Sequence, residues 1–256
     1  MDEVTQPAEG ERPPALGPTD EAMLARAQIL REIGDAVLRD IAQLYPSDDH
    51  GSVLRDALFV KGLAEQLVER AVVVERERGA SWADIGEAAG SSKQAANERW
   101  NTKMGAWVAM GRQRTGLGRG PADPADHAQD LDEWYADLVG EGPHAISTLL
   151  PSLHDQAARA EAGACRTEVQ QLTQRAEELR KETEAAYNAA MEAVGTDASE
   201  EKNAVWAAKH FARAEVYERL ATLEEPIAAE HRRSAAAQRR LAQDILRGRT
   251  PEEITK

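Results

Sequence analysis

Between Ser91 and Asn101 the chain reads SSKQAANERWN, a run whose polar side chains are suited to reading a base-paired duplex. With helical spacing, Lys93, Gln94 and Asn97 fall on an exposed side near the amino end, while Ala96 and Trp100 can turn inward. A lysine donates to the acceptors on the guanine edge. Glutamine and asparagine offer the paired donor and acceptor that adenine matches in the major groove. Ser91 and Ser92, together with the free amides of a helix amino end, suit a phosphate oxygen. Arg99, Lys103, Arg112 and Arg114 are expected to hold further phosphates. From Ser91 to Gly120 there are six basic residues and a single acid, Glu98, in a chain whose formal net charge is -14. Phosphate neutralisation drives such binding, so a local basic island outweighs the average.

The elements needed to present that face are legible just upstream. Ser81 and Asp84 have capping-box spacing, so a short helix is expected to start at Trp82. Ala88-Ala89-Gly90 closes it, and Gly90 supplies the left-handed backbone of a sharp turn. A second helix starts near Ser92 and runs to about Met110. Ile85, Ala89, Ala96 and Trp100 are the expected inward residues, and Gly86 permits close approach of the two helices. Short helix, glycine turn and second helix together make a helix-turn-helix over 81–101.

The run SWADIGEAAGSSKQAANERW resembles the helix-turn-helix of a group of actinobacterial DNA-binding proteins, where similar runs read SWxxIGxxLGxSxQAAxxRF or W. It is more distantly similar to the helix-turn-helices of sigma-factor region 4. The resemblance covers roughly a tenth of the chain and implies DNA binding by residues 92–101. Ala89 stands where a larger aliphatic is usual and Ser91 where valine is usual, and both shrink the core of the motif.

The rest of the chain reads as helices. Residues 1–18 are acidic and proline-rich, an expected disordered tail without the basic and apolar regions of a signal peptide. A helix capped by Thr19 or Asp20 should run to about Leu44, with Leu30, Ile33, Val37, Ile41 and Leu44 as its stripe. A second, from about Ser52 to Arg78, should turn Leu54, Leu58, Leu63, Leu67 and Val74 inward, and Gly79 should cap it. The expected division is a helical domain over 19–110, a Gly/Arg/Pro linker over 111–129, a short acidic helical segment over 130–151, and a coiled-coil helical hairpin over 152–248. Cys165, Val169, Leu172, Ala176, Leu179, Thr183, Ala186 and Ala190 alternate steps of four and three, a heptad seam rich in alanine. As one helix, 153–194 would be about 63 Å long. It must fold back on 199–247, pair with a second copy, or both. Pro226 should kink or restart the last helix.

The fold class expected is therefore all-α, with an N-terminal helix-turn-helix domain and a long C-terminal antiparallel hairpin. The expected function is sequence-specific binding of double-stranded DNA, as a regulator of transcription in the cytoplasm, at the nucleoid. A homodimer is expected, because one recognition helix gives little affinity. The rival is a structural or adaptor protein whose C-terminal hairpin binds a protein partner, or which organises or segregates DNA without reading it. Arg119 in its glycine-rich context reads as solvated linker rather than a minor-groove hook, and the six arginines of 232–249 as a solvated helix face, with a second nucleic-acid or acidic-partner patch as the alternative. No cofactor or metal is expected, since the six histidines and the lone Cys165 share no ligand spacing. Gly86 to Lys93 lacks the Gly-Lys-Ser/Thr step of a phosphate loop. No run is apolar enough to span a membrane, and no acid pair suggests an enzyme.

Overall fold

The computed structural model describes residues 16–42, 49–109, 123–140, 142 and 144–248. Among them every regular element is helical: α1 (Pro18–Ala42), α2 (Ser52–Glu77), α3 (Trp82–Ala88), α4 (Lys93–Ala109), α5 (Pro124–Val139), α6 (Gln156–Glu192), α7 (Ser199–Leu223) and α8 (Ala228–Leu246), with three short 3₁₀ turns. The all-α class with antiparallel C-terminal helices is what the structure shows. The chain divides into two compact units, Met1–Ala164 and Cys165–Lys256.

In the first unit α1 and α2 form an antiparallel pair. The Thr19 hydroxyl, at the start of α1, donates to the Glu77 carbonyl at the end of α2 at 3.2 Å. The carboxyl half of α2 carries α3 and α4, and α5 packs along α1, from Leu24 to Asp35. Leu16, Leu24, Ala128, Leu131 and Leu150 make one small apolar cluster. Two carboxylates pin the segment that follows α5. Asp132, nearly enclosed, accepts from the Ile146 amide at 2.6 Å, and Asp20 accepts from the Ser152 amide at 2.7 Å.

Several expectations are corrected here. Leu16 is fully buried and the Gly17 amide donates to Ser152 Oγ at 3.0 Å, so the ordered fold begins before residue 18. Thr19 and Asp20 reach neighbouring segments instead of capping α1. The acidic helix starts earlier than expected, because Asp123 caps it and Pro124 occupies its first turn. It packs into the first unit and is no separate segment. Leu54 and Leu58, expected to face inward, are exposed, while Leu63 and Val74 are buried.

In the second unit α6, α7 and α8 pack antiparallel to their neighbours. Arg219 Nε donates to Glu168 at 2.6 Å and Lys209 to Glu182 at 2.7 Å, joining α6 to α7. Arg239 reaches Glu218 at 2.7 Å, joining α8 to α7. Every position of the heptad seam is at least half buried, and Leu179, Thr183 and Ala190 are fully so. The last segment does more than kink. Around Pro226 a 3₁₀ turn over Glu225–Ile227 reverses the chain, and α8 folds back along α7. α8 thereby joins the antiparallel α6–α7 hairpin as a third helix. Ala190, Trp206, Ala207, Ala242 and Ile245 form the core of the three. The expected linker, with Arg112, Arg114 and Arg119, falls largely in 110–122, outside the described residues.

Candidate nucleic-acid interface

The turn between α3 and α4 is built from short-range chemistry. Ser81 Oγ accepts from the Ala83 and Asp84 amides, and the Asp84 carboxylate accepts from the Ser81 amide at 2.7 Å. The hydrogen bonds from Ser81 hold the Asp84 carboxyl below the usual carboxylate range. Gly90 adopts φ 64°, the left-handed conformation the turn requires. The Ser91 amide donates to the Gly86 carbonyl at 2.8 Å. Gly86 itself is buried, and a Cβ there would lie 2.9 Å from the Ser91 carbonyl oxygen. Glycine is what lets the two helices meet this closely.

One face of the pair is sealed. Ile85, Ala96 and Trp100 pack with Val72 of α2, and Ala80 and Trp82 close the edge. Further along α4, Met104, Trp107 and Val108 are buried. Trp107 Nε1 donates to Glu77 at 3.0 Å, and the Arg70 guanidinium lies 5.4 Å from its ring centre. Burial lowers the pKa of Arg70. Ala89 departs from the expectation. It is exposed, because the turn carries it away from the cluster.

The opposite face of α4 is open. Ser91, Ser92, Lys93 and Gln94 are exposed, and Asn97 is half-buried. Ser92 Oγ accepts from the Ala95 amide at 3.2 Å, so it caps α4 and points along the helix amino end. Gln94 Nε2 donates to Glu98 Oε1 at 2.9 Å. That pairing follows from the i,i+4 spacing, although Glu98 is expected from the sequence only as a lone acid. It sets a carboxylate beside the amide assigned to base reading, and a carboxylate can itself accept from cytosine. Asn101, one turn beyond Asn97, is a second group the sequence reading passed over.

The cations divide in the same way. Arg99 is exposed, with its guanidinium 4.8 Å from the Trp100 ring centre. Stacking orders the stem while leaving the hydrogen-bond donors outward. Lys103 lies 3.0 Å from Glu69 of α2, both partly exposed, and so is already paired. Over 81–103 three bases face three acids, Asp84, Glu87 and Glu98. Arg112, Arg114 and Arg119, which supply three of the five excess positive charges of 91–120, lie outside the described residues.

No group of His, Cys, Asp and Glu that could hold a metal ion occurs among the described residues, and no helix among them is long and apolar enough to cross a membrane. Compared with protein-family models, with curated proteins and with solved structures, the chain matches none.

Proposed function

We propose that this protein binds double-stranded DNA in a sequence-dependent way, as a regulator of transcription acting at the nucleoid, with two copies on one site. The amino end of α4 enters the major groove. Lys93, Gln94 and Asn97 read base edges. Ser91, Ser92, Arg99 and Lys103 hold phosphates, joined by Arg112 and Arg114 from the segment that follows. The observation that supports this most is the two-sidedness of α3 and α4. Ile85, Ala96 and Trp100 are packed away while Lys93 and Gln94 stand open at a helix amino end. Amide and ammonium groups left open at a helix amino end are the groups that base edges and phosphates can pair with. The test is binding of the full chain to a selected duplex and to random duplex at one salt concentration. Gln94→Ala/Asn97→Ala should weaken the first by about 1–3 kcal/mol per lost base contact and the second little. An equal loss on both would contradict the base-reading assignment.

A second reading, an adaptor that binds protein through the C-terminal helices, draws on the even balance of acids and bases over 81–103. It predicts DNA binding no stronger than the net charge allows, and no sequence recovered from random duplexes.

A further inference from the structure

The α1–α2 pair leaves one apolar face uncovered, and we propose that this face is where a second copy of the chain docks. Three α1 side chains, Leu30, Val37 and Ile41, are 38%, 40% and 62% exposed, and three from α2, Val53, Leu54 and Leu58, are 63%, 63% and 55% exposed. At about 100° per residue the α1 trio falls within an arc of about 40°, and the α2 trio within about 140°. From the side packed inward, in the sense of increasing residue number, the arc is centred about 110° onward on α1 and about 150° onward on α2. That packed side is marked by Ile29 and Ala36 on α1 and by Leu63 on α2. In an antiparallel pair, rotations in that sense bring both arcs to the same side. The six side chains therefore lie toward the same side of the pair.

Its size and charge fit self-association. The exposed apolar area is on the order of 500 Å² per copy, the apolar share of an interface of about 800 Å² per partner. Patches of this size on single chains mark sites of association. No charged residue lies within the α1 arc. The α2 arc holds Lys61, Glu65, Glu75 and Arg76, whose formal charges sum to zero, and Lys61 and Glu65 approach to 3.7 Å. Two such faces meet without the repulsion that a net charge of -14 imposes elsewhere. Pairing two helical hairpins face to face makes a four-helix bundle with an isologous contact. The first fifteen residues are poor candidates for the same face, since Met1 and Val4 are their only large apolar side chains.

This names the surface for the two-copy arrangement proposed above. Its test is run without DNA, so its failure leaves the duplex-reading assignment standing. Sedimentation equilibrium of the full chain should show a dimer in the micromolar range. Leu54→Asp/Leu58→Asp, at exposed positions, should keep its helical content and raise the dimer dissociation constant roughly 100-fold. Val194→Asp, at a position 65% exposed in the second unit, should leave the dimer intact. Hydrogen exchange on the unaltered protein supplies an independent reading, with residues 30–41 and 53–58 exchanging more slowly as concentration rises. A monomer throughout, a dimer indifferent to Leu54→Asp/Leu58→Asp, equal weakening by Val194→Asp, or exchange independent of concentration would each overturn the proposal.

Discussion

Gly86 and Ser91 stand so close that a single methyl group on the first would meet the carbonyl oxygen of the second at 2.9 Å. The Ser92 backbone is equally near, and neither can yield without moving the start of α4. Gly86→Ala is therefore expected to destabilise the protein by about 1–3 kcal/mol. Gly105, inside α4, has nothing within 4 Å of its missing Cβ. Gly105→Ala should stabilise by about 0.5–1 kcal/mol through helix propensity. Urea unfolding of the two variants checks both signs.

Trp107 ties α4 to α2 through its bond to Glu77 as well as by packing. Trp107→Phe keeps most of the ring and removes the donor. The expected loss is about 1 kcal/mol for the hydrogen bond, plus a small packing term. Trp107→Ala should cost about 3–5 kcal/mol. Thermal unfolding monitored by circular dichroism separates the two, and no loss in Trp107→Phe would show that the Glu77 contact is idle.

His210 is buried in the second unit, 2.7 Å from Gln238, and burial lowers its pKa below the ordinary value of 6.5. The unfolded chain thus binds a proton at a higher pH than the folded one. Stability from this group is complete above about pH 6.5 and is lost as pH falls from there toward the folded pKa. Unfolding midpoints should drop between neutral and mildly acidic pH, and His210→Gln should flatten that slope. An NMR titration placing His210 above 6.5 would reverse the sign.

The cations and the acid of α4 should behave unequally toward duplex. Arg99→Ala should weaken binding to all sequences alike and lower the slope of log affinity against log salt by about one. Lys103→Ala should do less, because Lys103 is already paired with Glu69. Glu98→Ala removes a carboxylate and frees Gln94, so non-specific binding should tighten and the base preference at one position should change. Salt titrations by fluorescence anisotropy report all three.

Much of the architecture could be read from local chemistry. The Ser81–Asp84 capping box, the left-handed Gly90 and the close approach at Gly86 each leave a residue-type signature within a few positions, and each is found. The apolar stripes were legible as stripes but not as to which side they bury. Leu54 and Leu58 repeat with Leu63 closely enough to pass as one face, yet only tertiary packing decides that Leu63 is covered and the other two are not. Ala89 misled for a similar reason, since a small apolar residue at a helix end carries little directional information. Long-range partners left no trace at all. Nothing in the neighbourhood of Leu16 announces that it will pack with Leu131 and Leu150, more than a hundred residues away. The chain reversal at Pro226 was visible as a break, but proline alone does not distinguish a kink from a return. On the α4 face, the Gln94–Glu98 pair was available from spacing, and the Lys103–Glu69 pair was not, because it joins two helices.

The central claim is that the amino end of α4 distinguishes one duplex sequence from another. Selection of bound sequences from a pool of random duplexes by the full-length protein tests it most directly. The account predicts a short recurrent motif, with preferences that shift in the pool selected by Gln94→Ala/Asn97→Ala. Recovery of no motif, or of the same motif by both proteins, would contradict it.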